Sequence, residues 1–355
     1  MAAHIYAASP TGPRGTGGLS AAERSEPENG IWCCATHGKS IDSDAGRIFS
    51  AVQLKAWKRL HEARKAAEIN GGALSHVGLV ESISVNSSPV TSLEGRKFEL
   101  GMRNIFTGQN GSGKSVLTRL IASVAYPDHV AELSRDREVD MGVRWFDPMT
   151  HDVATKGRSG VVTHVLDGEP VPYVARPYKT ILLQPAQRGE IENLNALAQM
   201  FDLSTSAMRS TLGLLPADSD LVKEVQCLNG KVHWTLDVNG RTERFTGRGG
   251  LSLGSEPLIL LELAGLHARH HARVEPTFLL LDEFFGFHDI HTQIAALERL
   301  ELAAEHAQVA VVSHSPQIVQ RVSADWSTTV LEHRPRNRWD TPLDFEVETK
   351  SAASD

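Results

Sequence analysis

Cysteine is scarce in this chain, with three residues at 33, 34 and 227 among 355. So small and odd a number cannot make a disulfide framework, and it suits a reducing, cytoplasmic setting. Long apolar runs are missing too: no stretch approaches the roughly 20 residues of a membrane span. Nor is there an excess of positive charge. Lys and Arg total 36 against 43 Asp and Glu, a formal charge of −7. That argues against coating nucleic acid through global charge, and it leaves room for a local basic face. Residues 1–22 lack the basic start and apolar core of a secretory signal, and they carry too little charge for a good transit peptide. What remains is ordinary for a soluble globular protein, 41% apolar and 22% charged, and long enough for one large α/β domain with additions.

Residues 1–46 hold few large apolar groups (Ile5, Tyr6, Leu19, Ile31 and Trp32). Composition therefore predicts a largely disordered extension. Over 47–69, Phe49, Val52, Ala56, Leu60, Ala63 and Ala67 recur at three- and four-residue steps, which predicts an amphipathic helix. Its basic side, with Arg47, Lys55, Lys58, Arg59, Arg64 and Lys65, reads as a solvated face more readily than as a nucleic-acid surface. A linker runs to 76, and the main domain is expected over 77–335, with a mixed β/α insertion within 125–250 and a tail at 336–355. After residue 255 the pattern alternates helix, strand, helix, strand and helix. Such alternation predicts a parallel sheet with crossover helices. The fold class expected is α/β, a mostly parallel sheet with flanking helices plus an antiparallel β subdomain.

Gly108-Gln109-Asn110-Gly111-Ser112-Gly113-Lys114-Ser115 fits G-x-x-x-x-G-K-[ST] in full. It lies between a short strand, Asn104–Thr107, and a helical run, Val116–Ala125. Glycines in such a loop let backbone N–H groups turn inward around phosphate oxygens. The helix that follows presents its positive end to the anion. Lys114 supplies a charge for the β- and γ-phosphates and Ser115 a hydroxyl for Mg²⁺. Downstream, Thr277–Leu281 is an apolar run that ends in Asp282-Glu283. A run of this kind suits a central parallel strand, with Asp282 at the carboxyl edge where ligands bind. Asp282 can hold Mg²⁺ through water, and Glu283 can orient or deprotonate an attacking water. Val309–Val312 is the next such strand. It leads to His314, placed to touch a γ-phosphate or that water, and to Ser315-Pro316, a helix start.

Together these residues resemble the ABC-class ATPases, a branch of the P-loop NTPases. Leu251-Ser252-Leu253-Gly254-Ser255 is similar to that family's L-S-G-G-Q/E signature, with Leu253 in place of the first glycine. Gln184 is placed like the Q-loop glutamine that reaches Mg²⁺ and water, and Asp289 like the D-loop aspartate. The resemblance covers about residues 78–332. It implies ATP and Mg²⁺ as ligands, with Glu283, His314 and Gln184 in catalysis and Ser115, Gln184 and Asp282 toward the metal. It also implies a homodimer that closes on ATP, with Ser252, Gly254 and Asp289 of one copy meeting the nucleotide of the other. The run Val312-Ser313-His314-Ser315-Pro316-Gln317-Ile318 is similar to T-H-S-P-E-I-L of compact RecF-like and overcoming-lysogenisation-like ATPases. That branch implies DNA or an effector protein in trans as partner, in DNA repair or phage defence. A low-turnover nucleotide sensor and a transporter subunit are the alternatives.

Three other groups read as structural. His267, His270 and His271 share a helix face and read as a solvated cluster at its end. Cys33-Cys34 has no second pair for zinc. Arg334, Arg336 and Arg338 read as a solvated tail, and Arg248 is a weaker candidate for phosphate contact across a dimer.

Overall fold

The computed structural model describes residues 2–47, scattered positions between 49 and 69, and 78–147, 149–171, 178–184, 191–238, 241–245, 255–272, 275–283, 290–322 and 325–332. Its centre is a five-stranded parallel sheet in the order Lys179–Leu183, Thr277–Leu281, Gln308–Val312, Arg103–Gly108, Trp326–Leu331. The three inner strands are apolar on both faces because both faces are covered. Alternate residues divide the sheet between two cores. Ile105, Ile181, Leu183, Leu279, Leu281, Val309 and Val311 pack against the helices Leu194–Met200, Thr205–Asp218, Ser255–Ala272 and Ile290–Ala303. Phe106, Phe278, Leu280, Ala310 and Val312 face the helix Lys114–Ser123 and a second sheet.

That second sheet is antiparallel and six-stranded, in the order Arg96–Glu99, Val80–Ser87, Val139–Asp147, Met149–Arg158, Val161–Leu166, Glu169–Val171. It buries Ile83, Val85, Met141, Val143 and Val153 on its inner face. The two sheets are tied at the amino ends of the parallel strands. The buried Gln308 amide accepts from Val80 N–H and donates to the carbonyls of Val80 and Gly101. Asn104 closes a turn onto Gly101 and also reaches the Val309 carbonyl. Between Gln184 and the helix Ser255–Ala272 lies a smaller unit. In it the helices Leu194–Met200 and Thr205–Asp218 cover an antiparallel sheet of Val222–Leu228, Lys231–Val238 and Arg241–Phe245. Trp234 is fully buried there, and its indole N–H donates to the Ile191 carbonyl.

Residues 2–47 depart from the expectation of disorder. Ala2–His4 pairs antiparallel with Gly30–Trp32, and the helices Ala21–Ser25 and Ala35–Ile41 follow each strand. Ala3, Ile5, Ile31 and Ile41 bury one another together with Leu54. The Arg14 guanidinium, its side chain 5% exposed, donates to the carbonyls of Ile5, Ile41 and His4 and pairs with Asp42. The small apolar cluster is completed by Leu54 from outside the segment, and the Arg14 guanidinium satisfies carbonyls around it.

Candidate functional site

Parallel register brings the motif residues to one place. Leu183 pairs with Leu281, so Gln184 and Asp282 leave the sheet side by side, and Asp282 N–H donates to the Leu183 carbonyl. Val312 pairs with Phe106, which sets Ser313 and His314 beside the start of the glycine loop, and Ser313 N–H donates to the Phe106 carbonyl. All these side chains stand at the carboxyl edge of the sheet, where open α/β sheets bind ligands.

The loop turns tightly at Gln109, whose carbonyl accepts from Ser112 N–H at 3.2 Å. Gly111 and Gly113 take φ of +78° and +98°, values open to glycine at little cost. The tip, Gln109–Gly111, is exposed, whereas Ser112 and Lys114 are buried. Gly108 is needed for another reason. A Cβ there would lie 2.0 Å from the Leu331 carbonyl oxygen of the edge strand. Lys114 starts the ten-residue helix Lys114–Ser123. Its Nζ donates to the carbonyls of Gly108 and Gln109 at 3.0 and 2.8 Å. Burial pushes its pKa down, while Glu283 and Asp282 act in the opposite sense.

Ser115 Oγ donates to Asp282 Oδ1 at 2.9 Å, and Gln184 Nε2 donates to Oδ2 at 3.5 Å. Asp282 is 4% exposed. Burial raises its pKa, against the lowering effect of the Ser115 and Gln184 hydrogen bonds. Glu283 follows at φ +49°, a left-handed conformation that costs a residue with a Cβ about 1–2 kcal/mol. This turn sets Glu283 against His314, with Oε1 in direct contact with Nε2. The other ring nitrogen, Nδ1, donates to the Gly108 carbonyl at 3.0 Å. One imidazole thus joins the candidate base to the first residue of the phosphate loop.

Lys114, Ser115, Gln184, Asp282, Glu283 and His314 therefore share one edge with the loop of Gly108, Asn110, Gly111, Ser112 and Gly113. Ser252, Gly254, Asp289, Arg248 and the arginines after 332 lie outside the described residues. One of the three histidines departs from the expected solvated cluster. His267 is 4% exposed, packed edge-on to Phe201 and against His271, not solvated. On the same helix His270 is exposed, as expected, and His271 is half-buried, so of the three only His267 is taken inside. Among the described residues no cluster of three or more His, Cys, Asp or Glu is arranged to hold a metal ion, and no helix is long and apolar enough to cross a membrane. One contact had no signal in the sequence: Ser92, in a polar turn between two strands, donates its hydroxyl to the Ser112 carbonyl at 2.8 Å.

No family model matches the chain, and no curated protein matches its sequence. Among solved structures it is similar to an Smc head bound to the C-winged helix domain of ScpA. The identity is 12%, covering 71% of this chain and 94% of that one, with a TM-score of 0.54. The structure of the recombination mediator RecF with ATP matches at 14% identity over 72% of this chain and 97% of that one, with a TM-score of 0.47. The chain has the fold of an ABC-class P-loop ATPase head.

Proposed function

We propose that this chain binds and hydrolyses ATP with Mg²⁺. The observation that carries the reading is the meeting of the Ser115–Asp282–Gln184 hydrogen-bonded group with the Glu283–His314 contact at the mouth of the glycine loop. The donor set fits the ligands. Ser115, Asp282 and Gln184 offer the hard oxygen donors that Mg²⁺ takes, and the positive-φ glycines lead into a helix amino end suited to phosphate. Lys114 and the loop amides would hold the β- and γ-phosphates. Bound Mg²⁺ would neutralise charge on those phosphates. Glu283 would orient the attacking water and accept its proton, and His314 would hold Glu283 in place from the start of the glycine loop.

The finer reading is a homodimer that sandwiches ATP, with Ser252, Gly254 and Asp289 of one copy completing the site of the other, and closure passed to DNA or to an effector protein. It is supported by the signature-like run at 251–255 and by the Val312–Ile318 run of RecF-like heads, which favour DNA repair or phage defence. Phosphate release from Mg·ATP, with and without DNA, tests the first part. Sedimentation of the Glu283→Gln variant with and without ATP tests the second, and ATP should convert monomer to dimer. Tight nucleotide binding with no turnover in wild type would favour a sensor instead.

A further inference from the structure

The phosphate loop is braced from outside its own strand and helix. The turn joining Val80–Ser87 to Arg96–Glu99 contains a short 3₁₀ segment, Thr91–Leu93. This turn is stiff. Ser88 N–H donates to Glu94 Oε1, Val90 N–H to Ser88 Oγ, Leu93 N–H to the Val90 carbonyl and Gly95 N–H to the Val85 carbonyl. From it the hydroxyl of Ser92, a residue 4% exposed, donates to the carbonyl of Ser112, a residue fully buried. The other polar groups of Ser112 are engaged as well, its N–H by the Gln109 carbonyl and its Oγ by Lys114 Nζ at 3.5 Å. The next residue, Gly113, is held by packing. A Cβ on it would meet Leu93 Cγ at 2.9 Å and Val90 Cγ1 at 3.1 Å.

A trans peptide is planar, so the carbonyl of Ser112 and the N–H of Gly113 point in opposite directions. Donation from Ser92 on one side therefore aims the Gly113 N–H to the other side. Rotation of that peptide would turn a carbonyl oxygen toward bound phosphate and repel it. We infer that Ser92 is a positioning residue for nucleotide: from the antiparallel sheet it fixes the Ser112–Gly113 peptide with its N–H toward the phosphate cradle. The inference rests on the ATP-binding reading above and adds to it a residue that lies outside the motif.

The test is a graded series read by Mg·ADP and Mg·ATP affinity and by steady-state turnover. Cysteine nearly matches serine in size but is a weak donor, and alanine is no donor at all. Ser92→Ala should weaken nucleotide binding by up to about tenfold, the limit reached if binding must restore the peptide orientation that one buried hydrogen bond fixes in the free protein. Turnover at saturating ATP should stay within about twofold, and Ser92→Cys should fall between alanine and wild type in affinity. A packing role alone predicts that Ser92→Cys binds like wild type, and that result overturns the inference. So does a Ser92→Ala variant that binds nucleotide as wild type does. Should the alanine variant fail to fold, the cysteine variant decides by the same criterion. Wild type that binds no nucleotide would overturn the reading of the site and the inference with it. Wild type that binds while the variants do not differ from it overturns the inference alone.

Discussion

Two buried lysines stand at opposite ends of the same parallel sheet. Lys114 is 3% exposed at the carboxyl end, and Lys179 is 2% exposed at the amino end. Each donates to backbone carbonyls, Lys114 to Gly108 and Gln109, and Lys179 to Phe201. Burial and residue type do not distinguish them; their neighbours do. Lys114 lies near Asp282 and Glu283 and heads a helix that follows a glycine loop. Lys179 lies near His267 and serves to tie the first strand to the 191–245 unit. A buried cation becomes a candidate for ligand binding where carboxylates and a helix amino end gather with it. Elsewhere it is a satisfied structural group.

The largest effect expected at the carboxyl end is on turnover. Glu283→Gln should lower ATP turnover about 10²–10⁴-fold, the range for loss of a positioned base, with nucleotide affinity retained. Phosphate release and a binding isotherm on the same sample check this. Next comes a structural effect at that end. Gly108→Ala would drive a Cβ into the Leu331 carbonyl, and denaturant unfolding should show a loss of more than about 4 kcal/mol. If the variant folds normally, the edge strand Trp326–Leu331 is not held as described.

The amino end should answer to pH. His267 has a pKa pushed down to about 3, first by burial and then by Lys179, His271 and His270. In the unfolded chain a histidine titrates near 6.5. Between these values the unfolded state binds the extra proton, so stability falls as pH drops. From pH 7 to pH 5 this group alone should remove about 2 kcal/mol. His267→Leu should flatten the wild-type pH dependence by that amount, measured by urea unfolding at the two pH values. An identical slope in both proteins would contradict the burial of His267.

The carboxyl end was largely legible in the sequence and the amino end was not. The loop, Asp282-Glu283 and His314 stand out in the sequence because phosphate chemistry requires particular residues at fixed spacings directly after apolar strands, and the structure brings them to one edge. Lys179 and His267 escaped because their burial depends on partners distant in sequence, Phe201 above all. The spacing of three histidines near a helix end suggests solvent; that holds for His270, and only tertiary packing against Phe201 takes His267 inside. The edge strand Trp326–Leu331 carries little strand signal, because its middle, Ser327 to Val330, is half exposed and partly polar. Met149–Arg158 is hard to read as a strand because its outer face carries Asp152 and Lys156, both paired across the sheet. The order in residues 2–47 joins groups far apart in the chain, Arg14 with Ile41 and Asp42 and the apolar cluster with Leu54, and composition holds no trace of such pairings.

The most direct measurement is the affinity for Mg·ATP of wild type, Lys114→Ala and Lys179→Met, titrated side by side on folded protein. Loss of the charged hydrogen bonds of Lys114 should weaken binding about 10–100-fold, and Lys179→Met should bind within about twofold of wild type. Equal affinity in all three, or a loss confined to Lys179→Met, would contradict the assignment of the nucleotide to the carboxyl end of the sheet.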